Sequence, residues 1–510
     1  MLILSILLSI TSLLSAQQKS GSQPNIIYMM SDDHGYQAIS AYGHGLNKTP
    51  NIDQLAEQGM LFTRAFVTNS ICGPSRAVML TGKHSHINGF KDNLSRFDSS
   101  QQTVAKLMHD AGYQTAVIGK WHLVSEPQGF DYWNIVPGQG DYYNPVFIEN
   151  GVRKKQTGYI TNLTTDYAIN WLEKRDPSKP FFLMYQQKAP HRNWMPEEKY
   201  YHLFDSTVFP VPDNYFDDYA TRTRAAREQE MEVATDMHDA YDLKLAFDFP
   251  KDQQTARNQL WQNTYNRLTP EEKKKWEAAY GPDNEAFRKA NLQGRDLAIW
   301  KYQRYMKDYL RCIQSVDDNV GRLMDYLKSK GLDKNTIIIY TSDQGFYLGE
   351  HGWFDKRFMY EESFRTPLII KWPGVTKQKS TSSMMVQNLD FAETILDMAG
   401  LPVPADMQGK SFVPILKGTQ KASLHDALYY HFYENLEHKV AKHIGVRTDR
   451  YKLIYFYENN EWELYDLEKD PREMKNLYGN PSYKTVAEMM KNQLQKAQNQ
   501  YKDSEPGLPK

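Results

Sequence analysis

The sequence predicts an α/β fold: a large, mostly parallel sheet sandwiched by helices, followed by a smaller C-terminal α+β domain. Three observations predict it. Helical segments alternate with short apolar runs along most of the chain, the pattern of successive βαβ units. From about residue 420 the alternation gives way to strand-like stretches in succession, "GVRTDRYKLIYFYENNEWELYDLEKDP". Finally, Asp32-Asp33, Lys120/His122, Lys188/His191 and Asp343-Gln344 each follow directly on an apolar run, and open α/β sheets collect functional residues beyond the carboxyl ends of their strands.

Taken in order, "MLILSILLSITSLLSAQQ" carries an apolar run over Leu2–Leu14 and a small pair, Ser15-Ala16. It reads as a signal peptide over residues 1–16, too short to span a bilayer, so the protein is expected to be exported, periplasmic or secreted. No later run approaches 18 apolar residues, and no membrane insertion of the mature protein is expected. "PNIIYMMSDD" reads as a buried strand. "TPNIDQLAEQG" reads as a helix with Thr49 as cap, Pro50 in the first turn and Gly59 at the stop. Ala77–Leu80 reads as helical. "TVAKLMHDAGYQTAVIGKWHL", "DYAINWLEKRDPSKPFFLMYQQKAPH" and "VGRLMDYLKSKGLDKNTIIIYTSDQG" each read as helix, turn, strand, loop. Residues 24–419 form the expected catalytic α/β domain, with a charged helical insertion at about 205–300. Residues 420–510 form the C-terminal unit, closed by the amphipathic helix in "SYKTVAEMMKNQLQKAQNQYK".

Lys+Arg (61) and Asp+Glu (62) cancel, so no basic excess points to nucleic acid, and an anionic substrate needs a local cluster of cations. Two cysteines exclude a disulfide scaffold. Cys312 reads as a buried helix cysteine; a Cys72–Cys312 bridge is left open.

Cys72 stands in "CGPSR", followed by "LTG". This resembles the sulfatase signature C-x-P-S-R … L-T-G. "PNIIYMMSDDHG", "TPNIDQLAEQG", "GKWHL", "APH", "YTSDQGFYLGEHGWFDKRFMYEESFRTPLII" and "ELYDLEKDPREMKNL" occur in the family's order over nearly the whole mature chain. The chain is thus identified as a type I sulfatase of the alkaline phosphatase-like superfamily. That resemblance implies a large domain around a mixed, mostly parallel sheet and a C-terminal domain with a four-stranded antiparallel sheet plus helix. It also implies that Cys72 is oxidised to formylglycine by a formylglycine-generating or anaerobic sulfatase-maturating enzyme. Calcium is implied on Asp32, Asp33, residue 72, Asp343 and Gln344, the last standing where Asn is more common. One hydroxyl of the hydrated aldehyde, beside Arg76, attacks sulfur, and the second expels sulfate. The same resemblance gives Lys120 and Lys356 to sulfate binding, His122 to the base that assists breakdown, and His191 to the acid that protonates the leaving oxygen. Lys188 and Arg192 flank His191 and are candidate substrate contacts.

A divalent cation suits this chemistry because the sulfate ester is itself an anion, and oxygen ligands suit calcium. Within the family the chain is most similar to glycan sulfatases of the N-acetylglucosamine-6-sulfatase or mucin-desulfating type. His351, His438, His443, Arg357 and Arg365 are therefore candidates near the sugar. The expected substrate is a sulfated polysaccharide or its oligosaccharides, 6-O-sulfated N-acetylglucosamine or a marine polysaccharide such as ulvan. Rivals are a phosphoester or phosphonate hydrolase of the same superfamily, a non-catalytic glycan binder and a cysteine hydrolase. The complete signature disfavours the first, and retained Cys72, His122 and His191 disfavour the second.

Overall fold

The structure, a computed structural model, describes residues 23–508 apart from 254 and 435; the expected signal peptide, 1–16, lies outside the described residues. Among these, eleven strands form one sheet. Its order is Ser380–Ser382, Met60–Phe66, Arg365–Lys371, Thr336–Ser342, Asn25–Ser31, Phe181–Gln187, Gln114–Lys120, Tyr132–Val136, Val146–Glu149 and Val152–Lys155, with Val386–Gln387 also beside Met60–Phe66. The centre is parallel: Asn25–Ser31 runs with Phe181–Gln187 and Thr336–Ser342, and Gln114–Lys120 with Phe181–Gln187 and Tyr132–Val136. Arg365–Lys371 is antiparallel to both neighbours, and the far edge is an antiparallel hairpin. The sheet is mostly parallel, as expected, with antiparallel strands towards its edges.

Central strands are apolar throughout because both faces are covered. Ile27 and Met29 enter one core with the helices Ile160–Lys174 and Gly294–Ser329, while Ile26, Tyr28 and Met30 enter the other with Cys72–Thr81, Val104–Asp110 and Phe391–Met398. The helix at the signature begins at Cys72, earlier than Ala77. Pro74 sits in its first turn, where no intrahelical N–H is lost.

Residues 205–250 depart from the expected helical insertion. They form mainly turns, with one short helix, Arg224–Glu228. Besides isolated turn bonds such as Asp236 N–H to the Glu232 carbonyl, they bond the C-terminal region: Thr223 N–H donates to Glu463, Glu230 N–H to the His438 carbonyl, and Arg222 to the Glu473 carbonyl. These tertiary partners outweigh the helix propensity of a charged stretch. Helices do follow, at Ala256–Tyr265 and Pro270–Ala290; the second opens on a Thr269/Glu272 capping box.

At the C-terminus, Leu428–Phe432, His443–Arg447, Tyr451–Phe456 and Glu461–Asp466 form a four-stranded antiparallel sheet. Lys484–Tyr501 packs Ala487, Met490, Leu494 and Ala497 on one face of it. Cys72 and Cys312 are both buried free thiols. No helix among the described residues is long and apolar enough to cross a membrane.

Candidate active site

Four adjacent parallel strands end on the same side. Ser31 leads into Asp32-Asp33, Gln187 into Lys188 and His191, Lys120 closes its own strand, and Ser342 leads into Asp343-Gln344. The strand ends are held tightly: Asp32 N–H donates to the Gln187 carbonyl at 3.2 Å. Gly119, one residue before Lys120, has φ +108°, and a Cβ there would fall 1.8 Å from the Gln186 carbonyl oxygen. Only glycine lets the strand deliver Lys120 at that spacing.

The Cys72 helix start meets these strand ends. Cys72 Sγ lies 3.9 Å from Asp33 Oδ1 and 3.8 Å from Gln344 Nε2. Ligand atoms of Asp32, Asp33, Cys72 and His191 all lie within 4.8 Å of one another, and all four residues are buried. Arg76 donates to Asp343 Oδ2 through Nε and Nη2, and to the Lys120 carbonyl and Gln186 Oε1 through Nη1. Lys120 pairs with Asp32 and Gln139, while Lys356 Nζ contacts both Asp33 oxygens at 2.7 and 2.6 Å.

Burial raises the carboxyls of Asp33 and Asp343 above their usual range, helped by neighbouring Asp32 and opposed by Lys356 and Arg76 respectively. Asp32 goes the other way: burial is overcome by Lys120, His191 and Arg76 together. Burial also lifts the Cys72 thiol and depresses the imidazoles of His122 and His191. Burial thus disfavours the thiolate that a cysteine nucleophile needs.

A metal fits here. Asp32 Oδ1 and Gln344 Oε1 are buried with no hydrogen-bond partner. They sit beside Asp33 and Asp343, so four oxygen-bearing side chains converge on one buried spot. Hard oxygen donors of this kind suit calcium.

Cys72 opens into a cavity of about 460 Å³, also lined by Lys188, His191, Arg192, Lys356 and Arg357. His191 Nδ1 faces the Arg192 carbonyl at 2.7 Å, which leaves Nε2 towards Asp33 Oδ2 at 3.7 Å. Lys188 lies over the Tyr142 ring, and burial and Lys120 push its ammonium down to about 8. Arg192 is clamped by both Asp242 oxygens at 2.6 Å. His438 bridges Asp355 at 3.1 Å and the Glu230 carbonyl at 2.6 Å, one layer behind the wall. Arg357 pairs with Asp355 and Glu437.

Other candidates are placed elsewhere. His122 lines a neighbouring recess with Trp121 and Trp133, and its Nδ1 is buried without a partner. His351 bonds Asp217 and packs against Trp353 and Tyr360. His443 stacks on Tyr430 and bonds the Ala441 carbonyl inside the C-terminal sheet. Arg365 lies over Tyr36. None of these three (His351, His443, Arg365) lines the cavity with Cys72. Conversely, Asp242, Asp355, Glu437 and Arg257 are at or behind its wall without having been singled out. Asp355 and Glu437, adjacent to the candidates Lys356 and His438, carried a sequence signal; Asp242 and Arg257 did not.

The sulfatase family profile matches residues 24–401, and that of the N-sulphoglucosamine sulphohydrolase C-terminal region matches 349–500. The chain belongs to the sulfatase family. This sulfatase is 51% identical over 508 residues to N-acetylglucosamine-6-O-sulfatase of Bacteroides thetaiotaomicron, covering 98% of this chain and 90% of that protein. It is 27% identical over 431 residues to N-acetylglucosamine-6-sulfatase of Capra hircus, covering 79% of this chain and 65% of that protein. Among solved structures it superposes, with TM-score 0.91 and 50% identity, on BT4656 in complex with its substrate D-glucosamine-2-N,6-O-disulfate, covering 95% of this chain and 99% of that one. The sulfatase is thus a sulfuric ester hydrolase.

Proposed function

We propose that this sulfatase hydrolyses the 6-O-sulfate ester of glucosamine units, N-acetylated or N-sulfated, in glycosaminoglycan or mucin saccharides. The observation that carries the reading is the half-identical N-acetylglucosamine-6-O-sulfatase spanning almost the whole chain. The cavity over Cys72, about 460 Å³, is within the range of small-ligand sites. The large domain, 24–419, would supply the chemistry and the C-terminal unit, 420–510, part of the wall. Export, directed by residues 1–16, suits a polymeric substrate outside the cytoplasm.

Calcium held by Asp32, Asp33, Asp343 and Gln344 would neutralise sulfate oxygens, and formylglycine made from Cys72 by a maturation enzyme would supply the nucleophile. The chain's own residues do the rest. Lys188 and Lys356 bind the sulfate from the cavity side, and Lys120 holds Asp32 from beneath. Arg76 fixes Asp343 with two donors. His191 donates through Nδ1–H to the Arg192 carbonyl, so Nε2 would deliver a proton to the leaving oxygen from the imidazolium, the form that a bound sulfate anion favours. His122, in the recess beside that cavity, would be the base in the step that frees sulfate, and its buried, unpartnered Nδ1 supports that role.

Matured protein incubated with N-acetylglucosamine carrying sulfate on O3, O4 or O6 tests the reading, with free sulfate as readout. Release from the 6-sulfate alone is expected; release from another position overturns it, as does release from neither the 6-sulfate nor glucosamine-2-N,6-O-disulfate.

A further inference from the structure

The cavity wall contains two cations of a different standing from the others. Lys356 is paired with Asp33, Arg357 with Asp355 and Glu437, Arg192 with Asp242, and Arg267 with Asp141. Lys188 and Arg257, which also line the cavity, have no ion-pair partner among the described residues. Lys188 is buried beside His191, close to Cys72. Arg257 is half-buried and stands on the helix Ala256–Tyr265, which belongs to the charged insertion. Arg192 and Tyr241 line the same cavity, the Arg192 guanidinium lying 5.6 Å from the Tyr241 ring centre.

The same helix presents more than a cation. Arg257, Leu260 and Thr264 are spaced three and four residues apart, on one helix face, and all three line the cavity. Leu260 is exposed. An unpaired guanidinium and an apolar side chain in one row match an anionic group and a sugar-ring face; the Thr264 hydroxyl donates to the Leu260 carbonyl at 3.0 Å and is left to accept from a ring hydroxyl. We infer that this face is a second anion subsite, in which Arg257 recognises a charged group of the saccharide other than the ester being cleaved. The inference rests on the 6-O-sulfatase reading above and specifies the substrate class: a saccharide with a second negative charge, on the glucosamine nitrogen as sulfate or on the adjoining residue as a uronate carboxylate.

Arg257 touches no reacting atom, so its contribution is to binding and selectivity. The matured enzyme and its Arg257→Gln and Arg257→Lys variants are compared on three substrates. These are N-acetylglucosamine-6-O-sulfate, glucosamine-2-N,6-O-disulfate, and a disaccharide joining 6-sulfated N-acetylglucosamine to a uronate. In Arg257→Gln, the kcat/KM of one doubly charged substrate relative to the singly charged one falls about tenfold, the scale of a charge-assisted contact. Arg257→Lys restores part of it, and added salt lowers the wild-type preference. A fall on the disulfate identifies the N-sulfate, and a fall on the disaccharide identifies the carboxylate. Unchanged ratios for both, with 6-sulfate still released, overturn the subsite and leave the 6-O-sulfatase reading standing. No release by wild type from any of the three overturns both.

Discussion

Arg76 reaches Asp343 Oδ2 with two nitrogens, Nε at 3.1 Å and Nη2 at 2.9 Å, both residues being buried. The guanidinium thereby offsets one of three buried carboxylates. Arg76→Ala leaves Asp343 without its ion-pair partner. Removing one member of a buried pair costs about 3 kcal/mol or more. A lower denaturant midpoint and lost sulfate release are expected; an unchanged midpoint contradicts the assigned role.

Cys72→Ala is expected to abolish sulfate release, by about a thousandfold or more, with circular dichroism unchanged. In wild type prepared without a maturation enzyme, the buried, protonated thiol is expected to resist iodoacetamide near neutral pH until the protein unfolds. Full activity of protein whose mass shows an unmodified thiol contradicts the formylglycine reading.

Chelation with EDTA should lower both activity and melting temperature, and calcium should restore both. Gln344→Ala removes the unpartnered Oε1 and should raise the calcium concentration needed for half-recovery of the melting temperature. Identical calcium titrations for wild type and variant contradict Gln344 as a ligand.

Lys188 carries a positive charge only while protonated, and its ammonium titrates at about 8. Affinity for a sulfate anion is therefore lost as pH rises past that value. The kcat/KM profile should fall with a single-proton limb near pH 8, and Lys188→Arg, charged at all working pH values, should remove that limb. A limb that survives in the variant assigns it to another group.

Glu393 lies far from this chemistry and gives a test of stability. One carboxyl oxygen accepts the Gly409 N–H at 2.7 Å and the other is buried unpartnered. Burial, with Asp390 nearby, raises the carboxyl to about 8. The folded state thus keeps a proton that the unfolded chain gives up at ordinary carboxylate pH. Its stabilising effect is complete in acid and is lost as pH rises through about 8, a span worth on the order of a few kcal/mol. Glu393→Gln should be more stable than wild type at pH 8 and should lose that advantage towards pH 5. Parallel melting curves at both values contradict this.

Much of the site was legible because four strand ends write their own signatures: an apolar run, then Asp32-Asp33, Lys120, Lys188 or Asp343-Gln344. Sheet adjacency of parallel strands converts those separate runs into one cluster. What sequence reading could not supply was direction and distance in loops. His351 and His443 look like site histidines in a linear string, yet aromatic neighbours enclose both. The turns of 205–250 were hidden because their hydrogen-bond partners lie more than two hundred residues away. Arg257 was hidden because an unpaired arginine in a charged stretch has no distinguishing spacing.

Glu437 and His438 belong to the loop between Leu428–Phe432 and His443–Arg447, yet they hold Arg357 and Asp355 in the wall above Cys72. A chimera that joins this N-terminal half to a sister enzyme's tail would exchange those two supports along with the tail. Substrate preference in such hybrids should travel with the donor of the tail as well as with the donor of the nucleophile. Evolution can accordingly retune these enzymes by editing a region that performs none of the bond-breaking.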